Sequence, residues 1–489
     1  MMRFLRWPPV WVLLITTFFY FPVVQNGFVL NDSNLIVGWE LIKDLGNFPR
    51  FWIGFIPPEG DPSYYSPLKT FFYALTHLCF GSSPLGYHLF ILALHLLATF
   101  LVYRLSFLLF NNTKIALGIA LLFGIHPVHV ESVAFISGGM EILGAIFFFL
   151  GLYDYLISAT SPAAVVREEN YCRALLWSFL AIFTSETTLA LPFLFLLSEI
   201  IFYHRSFSKN AWLKALQRAL PFFFLVLFYL LLKWLVVGNM GQPLMGSFYL
   251  HMMLMIKAWA KYFWLMIFPF TLTVNHQLAP GIFSFQAQDF DSYAVLSQSL
   301  LEPVTLVSLL ILVGLGGGVV ILARRHSLLV FGFFWFYLAL LPHVFFSNGI
   351  YFAERYLYIS SLAFCMLVGV GADRLIKWIQ ENNKVGGLKI FAIISGISIL
   401  AFYGIKVQLR IHDWKNPVTL YESAVKTTPE SAALQGALGA AYLDQGGFDH
   451  AVEHLEKAVS MSPQDEHLYL VLAEGYGYQG KLEEAIQAL

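Results

Sequence analysis

The stretch His126-Pro127-Val128-His129-Val130-Glu131 lies between two long apolar runs, at 114–125 and 140–157. A charged side chain at the centre of a bilayer costs roughly 2.5 to 17 kcal/mol, so such residues belong at a membrane face, in a water-filled cavity or in a site. We expect this polar cluster to form part of a site at one end of a helical bundle.

The composition indicates a multi-pass membrane protein. Of the 489 residues, 58% are hydrophobic and 12% are charged, whereas soluble domains carry about 25% charged residues. The formal net charge of -1 offers no overall basic field for nucleic acid. The three cysteines, Cys79, Cys172 and Cys365, lie far apart, which indicates neither a disulfide framework nor a cysteine-based zinc site.

Apolar runs between charged clusters predict an all-α, polytopic bundle of about eleven spans, because a crossing helix needs about 20 apolar residues. The predicted spans are 7–24, 84–109, 114–126, 140–158, 171–184, 187–203, 219–237, 303–322, 327–342, 356–373 and 387–405. The first span follows Arg3 and Arg6. Its length, and the sequence after it, favour an uncleaved anchor over a signal peptide.

Basic residues beside these spans predict the orientation, since positively charged loops stay cytoplasmic. Segments 67–80 and 251–268 carry lysines in apolar surroundings and suit re-entrant or interfacial helices better than spans. The N-terminus is then cytoplasmic, and the loops 25–83, 238–302 and 343–355 face the outer side. We favour a bacterial inner membrane, with the endoplasmic reticulum as the alternative in a eukaryote.

The last part of the chain is predicted to be an α-solenoid of tetratricopeptide repeats, with the membrane domain at 1–408 and the repeats at 409–489. Leu438, Gly439, Tyr442, Gly446 and Ala451 recur 34 residues later as Leu472, Ala473, Tyr476, Gly480 and Ala485, which is typical of this repeat. The sequence stops inside a repeat without a capping helix, so we expect further repeats or a fragment. The repeats, on the periplasmic or luminal side, would recruit a partner or acceptor, or serve as a spacer.

Asn31 and Asp32 open the first outer loop, directly after the first predicted span. An acidic side chain in that position suits a general base that takes a proton from an acceptor hydroxyl. Two alternatives remain at this point. Asn31-Asp32-Ser33 also fits the start of a helix, where such side chains form caps, and a glycosylation triplet.

His126, His129 and Glu131 place two imidazoles and a carboxylate within six residues. Contacts with the phosphate or sugar of a donor are the favoured interpretation, because protonated histidine binds anions. Binding of a divalent metal by these three side chains and polar packing are the alternatives.

Phe352-Ala353-Glu354-Arg355-Tyr356-Leu357-Tyr358 opens the tenth predicted span. An arginine at a helix start opposes the helix dipole, which predicts a fixed anionic partner. Glu354 alone could be that partner, and a bound phosphate is the alternative. Glu141, Glu186 and Lys233 map to the same outer face.

These motifs, with Ser185-Glu186-Thr187 and with Asp413-Trp414 ahead of the repeats, resemble the transmembrane O-mannosyltransferase family with tetratricopeptide repeats. The resemblance covers nearly the whole chain. It implies a C-type glycosyltransferase that uses a polyprenyl-phosphate sugar donor and has its base in the first outer loop. Asp32 matches the second of the family's paired acids and Asn31 replaces the first, while Gly139 and Ser185 stand where the family has arginine and lysine.

The resemblance implies inverting transfer of a mannose-like sugar to a protein or other hydroxyl acceptor on the outer side of the bilayer. Asp32 would be the base, and Lys257 or Lys261 could help Lys233 to replace the missing cations. The donor-binding residues would be His126, His129, Glu131, Glu354, Arg355 and Tyr358, supported by Asn31, Glu141, Glu186 and Lys233. No cofactor is certain, and a divalent metal is an option.

The alternative function is a non-catalytic membrane scaffold that recruits partners through its repeats, with an ancestral site lost through Asn31, Gly139 and Ser185. A transporter fits less well. Its polar residues would lie near the middle of the membrane, whereas those of this chain gather at one face.

Overall fold

A computed structural model describes residues 8–53, 65–204, 208–238, 247–274, 300–322, 327–345, 352–381 and 386–489. All regular elements within these ranges are helical, which confirms the predicted all-α class. The α-helices are α1 (Pro9–Tyr20), α2 (Pro67–Phe80), α3 (Pro84–Phe110), α4 (Thr113–Gly124), α5 (Val130–Ala134), α6 (Ile136–Gly139), α7 (Glu141–Thr160), α8 (Ala164–Thr184), α9 (Leu191–Ser198), α10 (Lys209–Val237), α11 (Phe248–Ile267), α12 (Pro303–Leu322), α13 (Ser327–Phe345), α14 (Leu357–Glu381), α15 (Gly386–Asp413), α16 (Pro417–Thr427), α17 (Ala432–Asp444), α18 (Phe448–Met461), α19 (Glu466–Tyr478) and α20 (Leu482–Ala488).

Short 3-10 and π-helical segments connect several of these helices. The 3-10 segments are Phe21–Gln25, Glu40–Lys43, Leu45–Trp52, Pro127–His129, Glu186–Ala190 and Glu354–Tyr356, and the π segments are Ser33–Gly38 and Glu199–His204. Parts of the predicted outer loops, at 54–64, 239–246, 275–299 and 346–351, lie outside the described residues. Arg3 and Arg6, the basic residues before the first predicted span, also lie outside the described residues.

Six helical stretches in the described ranges are long and apolar enough to cross a membrane. They are Pro84–Phe110, Ile136–Thr160, Glu186–Tyr203, Lys209–Val237, Glu354–Glu381 and Ile390–Asp413. A bent pair around Gly124 adds one candidate if it counts as a single span, and Pro9–Gln25, Pro303–Val319 and Ser327–His343 are shorter apolar helices. Each of these overlaps a predicted span. The predicted total of eleven spans is not confirmed. The predicted span 171–184 lies in α8, which is not among the candidate spans.

The bend after α4 places the opening motif in the core. The two halves, Thr113–Gly124 and Pro127–Ala134, meet at an angle of 50°, and proline cannot donate the backbone hydrogen bond that would continue α4. The largest hydrophobic cluster surrounds this bend. It includes Tyr20, Phe123, Phe149, Tyr358 and Trp414, each at most 2% exposed. Residues 126–131 are therefore enclosed by α3, α14 and α15, and Tyr20 at the end of α1 donates to His126 O.

The predicted repeats at 409–489, called the tail below, show the 34-residue period in their structure. Gly446 and Gly480 end α17 and α19 with φ of 77° and 76°, a conformation that glycine adopts without steric cost. The Tyr442 hydroxyl donates to Glu422 at 2.6 Å, and 34 residues later the Tyr476 hydroxyl donates to Glu456 at the same distance. Two successive helix pairs thus repeat the same contacts, while their assignment as a tetratricopeptide solenoid stays a prediction.

Close packing explains the small residues of this repeat. A Cβ on Gly439 would lie 2.5 Å from Leu455 Cγ, so the side chain at this position must be very small for α17 and α18 to approach. The predicted domain boundary at 408 falls inside α15, since that helix continues to Asp413. The division into two domains also stays a prediction.

Candidate functional site

Asp32 is held in a tight turn before the π-helical segment Ser33–Gly38. Leu30 has φ of 52°, a conformation that is unusual for a side chain of its size. The turn is closed by Asp32 N donating to Val29 O at 3.1 Å and by Val29 N donating to Asp32 Oδ2 at 3.3 Å. The carboxylate makes no capping bond to the segment that follows. The helix-cap interpretation of Asp32 therefore fails.

Ser137 holds the other carboxylate oxygen of Asp32. Its backbone N–H and its hydroxyl donate to Asp32 Oδ1 at 2.7 and 2.5 Å. Asp32 is fully buried, and this burial raises its pKa from 3.8 to about 6, although the hydrogen bonds from Ser137 and Val29 act in the opposite direction. Asn31, by contrast, is exposed. The structure thus buries one member of the Asn31-Asp32 pair and leaves the other at the surface.

Arg355 forms an ion pair with Glu131. Glu131 Oε2 also accepts hydrogen bonds from the backbone N–H groups of Glu354, at 2.8 Å, and Arg355, at 3.3 Å. Glu131 therefore binds both the side chain and the backbone at the start of the segment Glu354–Tyr356. The predicted anionic partner of Arg355 is Glu131, not its neighbour Glu354.

Glu354 is directed to other partners. Its Oε1 accepts from Thr273 N at 2.7 Å and lies 3.6 Å from Arg410 Nη2. Lys261 lies close enough for Glu354 to oppose the effect of burial, which lowers the lysine pKa to about 8. Glu354 thus connects the start of α14 with three other parts of the chain, which are α11, the segment that follows α11, and α15.

Glu141 and Glu186 each carry a buried lysine partner. Lys69 Nζ lies 2.8 Å from Glu141 Oε1, and Lys233 Nζ lies 2.6 Å from Glu186 Oε1. The Ser185 hydroxyl also binds Glu141. Ser185 stands where the resemblance implies a lysine. Its hydroxyl takes part in the site by hydrogen bonding to the Glu141 carboxylate.

Close packing and electrostatic interactions connect these groups into one polar cluster. Gly138 follows Ser137, and a Cβ built on Gly138 would lie 3.2 Å from Arg355 Cδ. Arg355 interacts electrostatically with Glu141, and Glu141 does so with Glu186. We refer to Asp32, Ser137, Glu131, Arg355, Glu141, Lys69, Glu186 and Lys233 as the acid–base cluster.

The two histidines lie beside this cluster, in the aromatic core. His126 Nε2 lies 3.2 Å from the carbonyl oxygen of Met266, and its Nδ1 accepts from Val128 N at 3.4 Å. His129 Nε2 lies 2.9 Å from Ser361 Oγ. Both side chains are fully buried. These contacts pack both histidines against polar groups of the core, and their predicted contact with a donor stays a prediction.

Tyr358 is likewise a core residue, with its hydroxyl 2.8 Å from His95 Nδ1. Its neighbour Tyr356 is the tyrosine that contacts Arg355, with the guanidinium carbon 5.0 Å from the ring centre. Among the described residues, no group of three or more His, Cys, Asp and Glu side chains is arranged to hold a metal ion. The metal interpretation of His126, His129 and Glu131 therefore finds no support in their geometry.

Lys69 and Ser137 are the members of the cluster that the sequence analysis missed. Lys69 left a signal, because a lysine in an apolar stretch is a candidate for a site, but the sequence predicts only a re-entrant or interfacial helix at 67–80. A serine such as Ser137 carries no signal of this kind. Lys257, which was a candidate for the replacement cation, forms its ion pair with Glu302 at 3.0 Å. The cation that pairs with Glu141 is Lys69.

The described residues thus define an all-helical protein with six candidate membrane spans and a buried aspartate within a cluster of paired acids and bases. Its curated relatives are protein O-mannosyl-transferases, which confirms the resemblance found in the motifs. The chain is 26% identical over 460 residues to the Caenorhabditis elegans protein O-mannosyl-transferase F38B6.6, covering 91% of this chain and 61% of that protein.

Vertebrate relatives match a similar stretch. Identity is 25% to the Xenopus laevis protein O-mannosyl-transferase tmtc2, with 83% of this chain and 56% of that protein covered. It is 22% to the human protein O-mannosyl-transferase TMTC3, with 89% and 48% covered. The chain therefore spans between about half and three-fifths of the length of these relatives. No protein-family model matches the chain.

Among solved structures, the apo oligosaccharyltransferase of Archaeoglobus fulgidus superposes with a TM-score of 0.48 at 13% identity, covering 83% of this chain and 56% of that one. ArnT from Cupriavidus metallidurans, bound to undecaprenyl phosphate, gives a TM-score of 0.40 at 15% identity, covering 96% and 77%.

Proposed function

We propose that this protein is a membrane glycosyltransferase that moves a mannose-like sugar from a polyprenyl phosphate to a hydroxyl group of a protein acceptor. The observation that carries the proposal is the buried Asp32 carboxylate, held by Ser137 beside the Arg355–Glu131 pair, in a chain whose curated relatives are protein O-mannosyl-transferases. The reaction takes place on the outer side of the membrane, with the N-terminus on the cytoplasmic side.

In the proposed reaction, the acceptor hydroxyl oxygen attacks the anomeric carbon of the donor sugar. The new glycosidic bond forms while the bond between that carbon and the phosphate oxygen breaks, so the anomeric configuration inverts. The acceptor proton passes to Asp32, and the polyprenyl phosphate leaves with the bonding electron pair. A phosphate leaving group is already anionic and needs no strong general acid.

Asp32 suits the role of base for two reasons. Its Oδ1 accepts two hydrogen bonds from Ser137, whereas its Oδ2 accepts one from Val29 N and keeps acceptor capacity for the acceptor proton. Its pKa of about 6 lies close to neutral pH, where general-base catalysis is most efficient. Because Asp32 is fully buried, substrate binding must open a path to it.

Arg355 supports the departure of the phosphate. Fixed cations near developing charge are most effective in sites from which water is excluded, and Arg355, Lys69 and Lys233 are all held in place by carboxylates. Lys69 and Lys233 supply positive charge in a chain that has Gly139 and Ser185 in place of the family's cations. The repeats bring the protein acceptor to this face, in the bacterial periplasm or, in a eukaryote, in the lumen of the endoplasmic reticulum.

The test uses the purified protein in detergent, a radiolabelled polyprenyl-phosphate mannose and acceptor peptides. Transfer should occur with the unmodified protein and fall by about 10²-fold or more in Asp32→Asn, the range expected for loss of a general base. Asp44→Asn is the matched control, since Asp44 is an exposed acid of the same loop that accepts from Gly46 N. Full activity in Asp32→Asn would end the assignment of the base, and failure of the unmodified protein to bind or use any polyprenyl-phosphate sugar would favour a scaffold.

A further inference from the structure

Residues 410–415 cover the end of the last candidate span and the start of the connection to the tail. They contact all three segments that carry the reactive part of the acid–base cluster. These segments precede Asp32, Ser137 and Arg355 by a few residues each. Asp413-Trp414 belongs to the motif that the resemblance singles out, yet the proposed reaction gives it no role. Each of its contacts holds one of these segments in place.

The first contact is with the segment before Asp32. The Asn26 side-chain amide donates both of its hydrogens to this connection, to Ile411 O at 3.1 Å and Trp414 O at 3.0 Å. The next residue, Gly27, donates its backbone N–H to Lys415 O at 2.8 Å. Asn26 is 6% exposed, so its two side-chain hydrogen bonds are largely shielded from water. They anchor the loop six residues ahead of the proposed base.

The second contact is with the segment before Ser137. The Trp414 ring is fully buried and lies 5.8 Å from the ring of Phe135, measured between centroids. Phe135 is the residue from which α6 starts, and Ser137 is the second residue of that helix. A shift of Trp414 would therefore move the donor that holds Asp32.

The third contact is with the segment before Arg355. Arg410 lies 3.6 Å from Glu354, and both side chains are at most 4% exposed. The tail adds a further contact, because the hydroxyl oxygens of Thr427 in α16 and Thr273 lie 3.3 Å apart, and Thr273 N donates to Glu354 Oε1. Arg410 thus contacts the Glu354 carboxylate directly, and the tail reaches the same carboxylate through Thr273.

We propose that residues 410–415 act as a brace that holds these three segments in register, with Asn26 as the positioning residue that attaches the base-carrying loop to it. The position of the base then depends on the place where the tail leaves the membrane domain. An acceptor or partner that shifts the tail would act on the site through this brace.

The proposal is tested in the full chain with Asn26→Asp, which keeps the shape of the side chain but removes both donated hydrogens. The matched control is Asn47→Asp, because Asn47 also donates its amide to a backbone carbonyl, Leu41 O at 3.1 Å, but does not contact the brace. Hydrogen–deuterium exchange is followed in peptides covering 26–32, 133–140 and 352–358. We expect exchange in all three peptides to rise about tenfold or more in Asn26→Asp and to stay unchanged there in Asn47→Asp.

A second pair of variants covers the case in which Asn26→Asp does not fold. Trp414→Leu removes the ring that packs against Phe135 and should reproduce the exchange pattern, whereas Trp414→Phe keeps an aromatic ring and should not. Faster exchange confined to 26–32, without any change in 133–140 and 352–358, would overturn the brace.

A kinetic experiment separates the brace from the proposed function. This experiment rests on the proposed function, whereas the exchange experiments do not. Asn26→Asp should lower kcat for sugar transfer by about tenfold or more, because small errors in position are costly in catalysis. The donor KM should change by less than about twofold, since the donor-binding groups remain, and Asn26→Gln should restore part of kcat. If the unmodified protein transfers no sugar but the exchange pattern appears, the brace stands and the proposed function fails.

Discussion

Ser137 donates two hydrogen bonds, one from its backbone and one from its hydroxyl, to the same oxygen of Asp32, at 2.7 and 2.5 Å. The two residues are 105 positions apart in the chain. Their contact leaves Oδ2 as the more available face of the carboxylate, and it opposes the rise in pKa that burial causes. Much of the predicted behaviour of the site follows from this relationship.

Transfer activity should rise with pH through about 6. The base must be deprotonated to act, and the pKa of Asp32 is raised to about 6 by burial. The measurement is the pH profile of kcat/KM, with donor ionisation checked separately. The midpoint of the rise should lie within about one pH unit of 6. A profile that stays flat between pH 5 and 7 would contradict the role of Asp32.

Stability should show the opposite trend in the same range. Because the pKa of Asp32 is higher in the folded protein than its ordinary value of 3.8, the folded state binds the proton more tightly. The resulting stabilisation is present below about pH 4 and is lost as pH rises through about 6. Thermal melting in detergent should reveal this slope, and Asp32→Asn should reduce it, whereas Asp44→Asn should leave it in place.

Ser137→Ala should move the pH profile to higher pH. The hydroxyl of Ser137 favours the ionised carboxylate, so its loss raises the pKa of Asp32 further, by about one unit for a charge-assisted hydrogen bond. Ser137→Thr keeps the hydroxyl and should stay closer to the unmodified protein. Ser132→Ala is the control, because the Ser132 hydroxyl is buried nearby without a hydrogen-bond partner among the described residues. An unchanged profile in Ser137→Ala would show that the hydroxyl does not tune the base.

Arg355→Gln should destabilise the protein by about 3 to 5 kcal/mol, because it leaves the buried Glu131 carboxylate without its cation. The double variant Glu131→Gln/Arg355→Gln should regain much of the lost melting temperature but not the transfer activity. For comparison, Lys43→Met breaks the exposed pair between Lys43 and Glu40 and should cost less than about 1 kcal/mol. Equal losses in the single and double variants would mean that the pair is not coupled.

An arginine at position 139, where the resemblance implies one, should impair folding. A Cβ on Gly139 would lie 2.7 Å from Ile91 Cδ1 and 3.0 Å from the backbone oxygen of Ser132, so Gly139→Arg overpacks this region. The yield of monodisperse protein should fall, and Ile91→Ala should recover part of it when combined with Gly139→Arg. A well-folded and more active Gly139→Arg variant would instead show that the arginine was simply lost from this site.

The local features of the fold could be predicted because hydropathy and charge act over short distances. Six candidate spans overlap apolar runs that are visible in the sequence, and the 34-residue period reappears as Gly446 and Gly480 with matching φ. The side chains of Asp32, Glu131, Glu141, Glu186 and Lys233 were recognisable as candidates because ionisable groups are costly in apolar surroundings. Glu131 and Arg355 were both singled out, but the sequence did not indicate that they form a pair.

The sequence by itself thus determined that the chain is helical, that it is rich in apolar spans and that its acids and bases gather in a few motifs. Only the tertiary structure decided which of them meet: Asp32 with Ser137, Glu131 with Arg355 and Glu141 with Lys69. It also places His126 and His129 in the core, where they contact Met266 and Ser361. The physical reason is that the cost of burying a polar group is set by the residue alone, whereas the partner that offsets this cost is chosen by packing between distant helices.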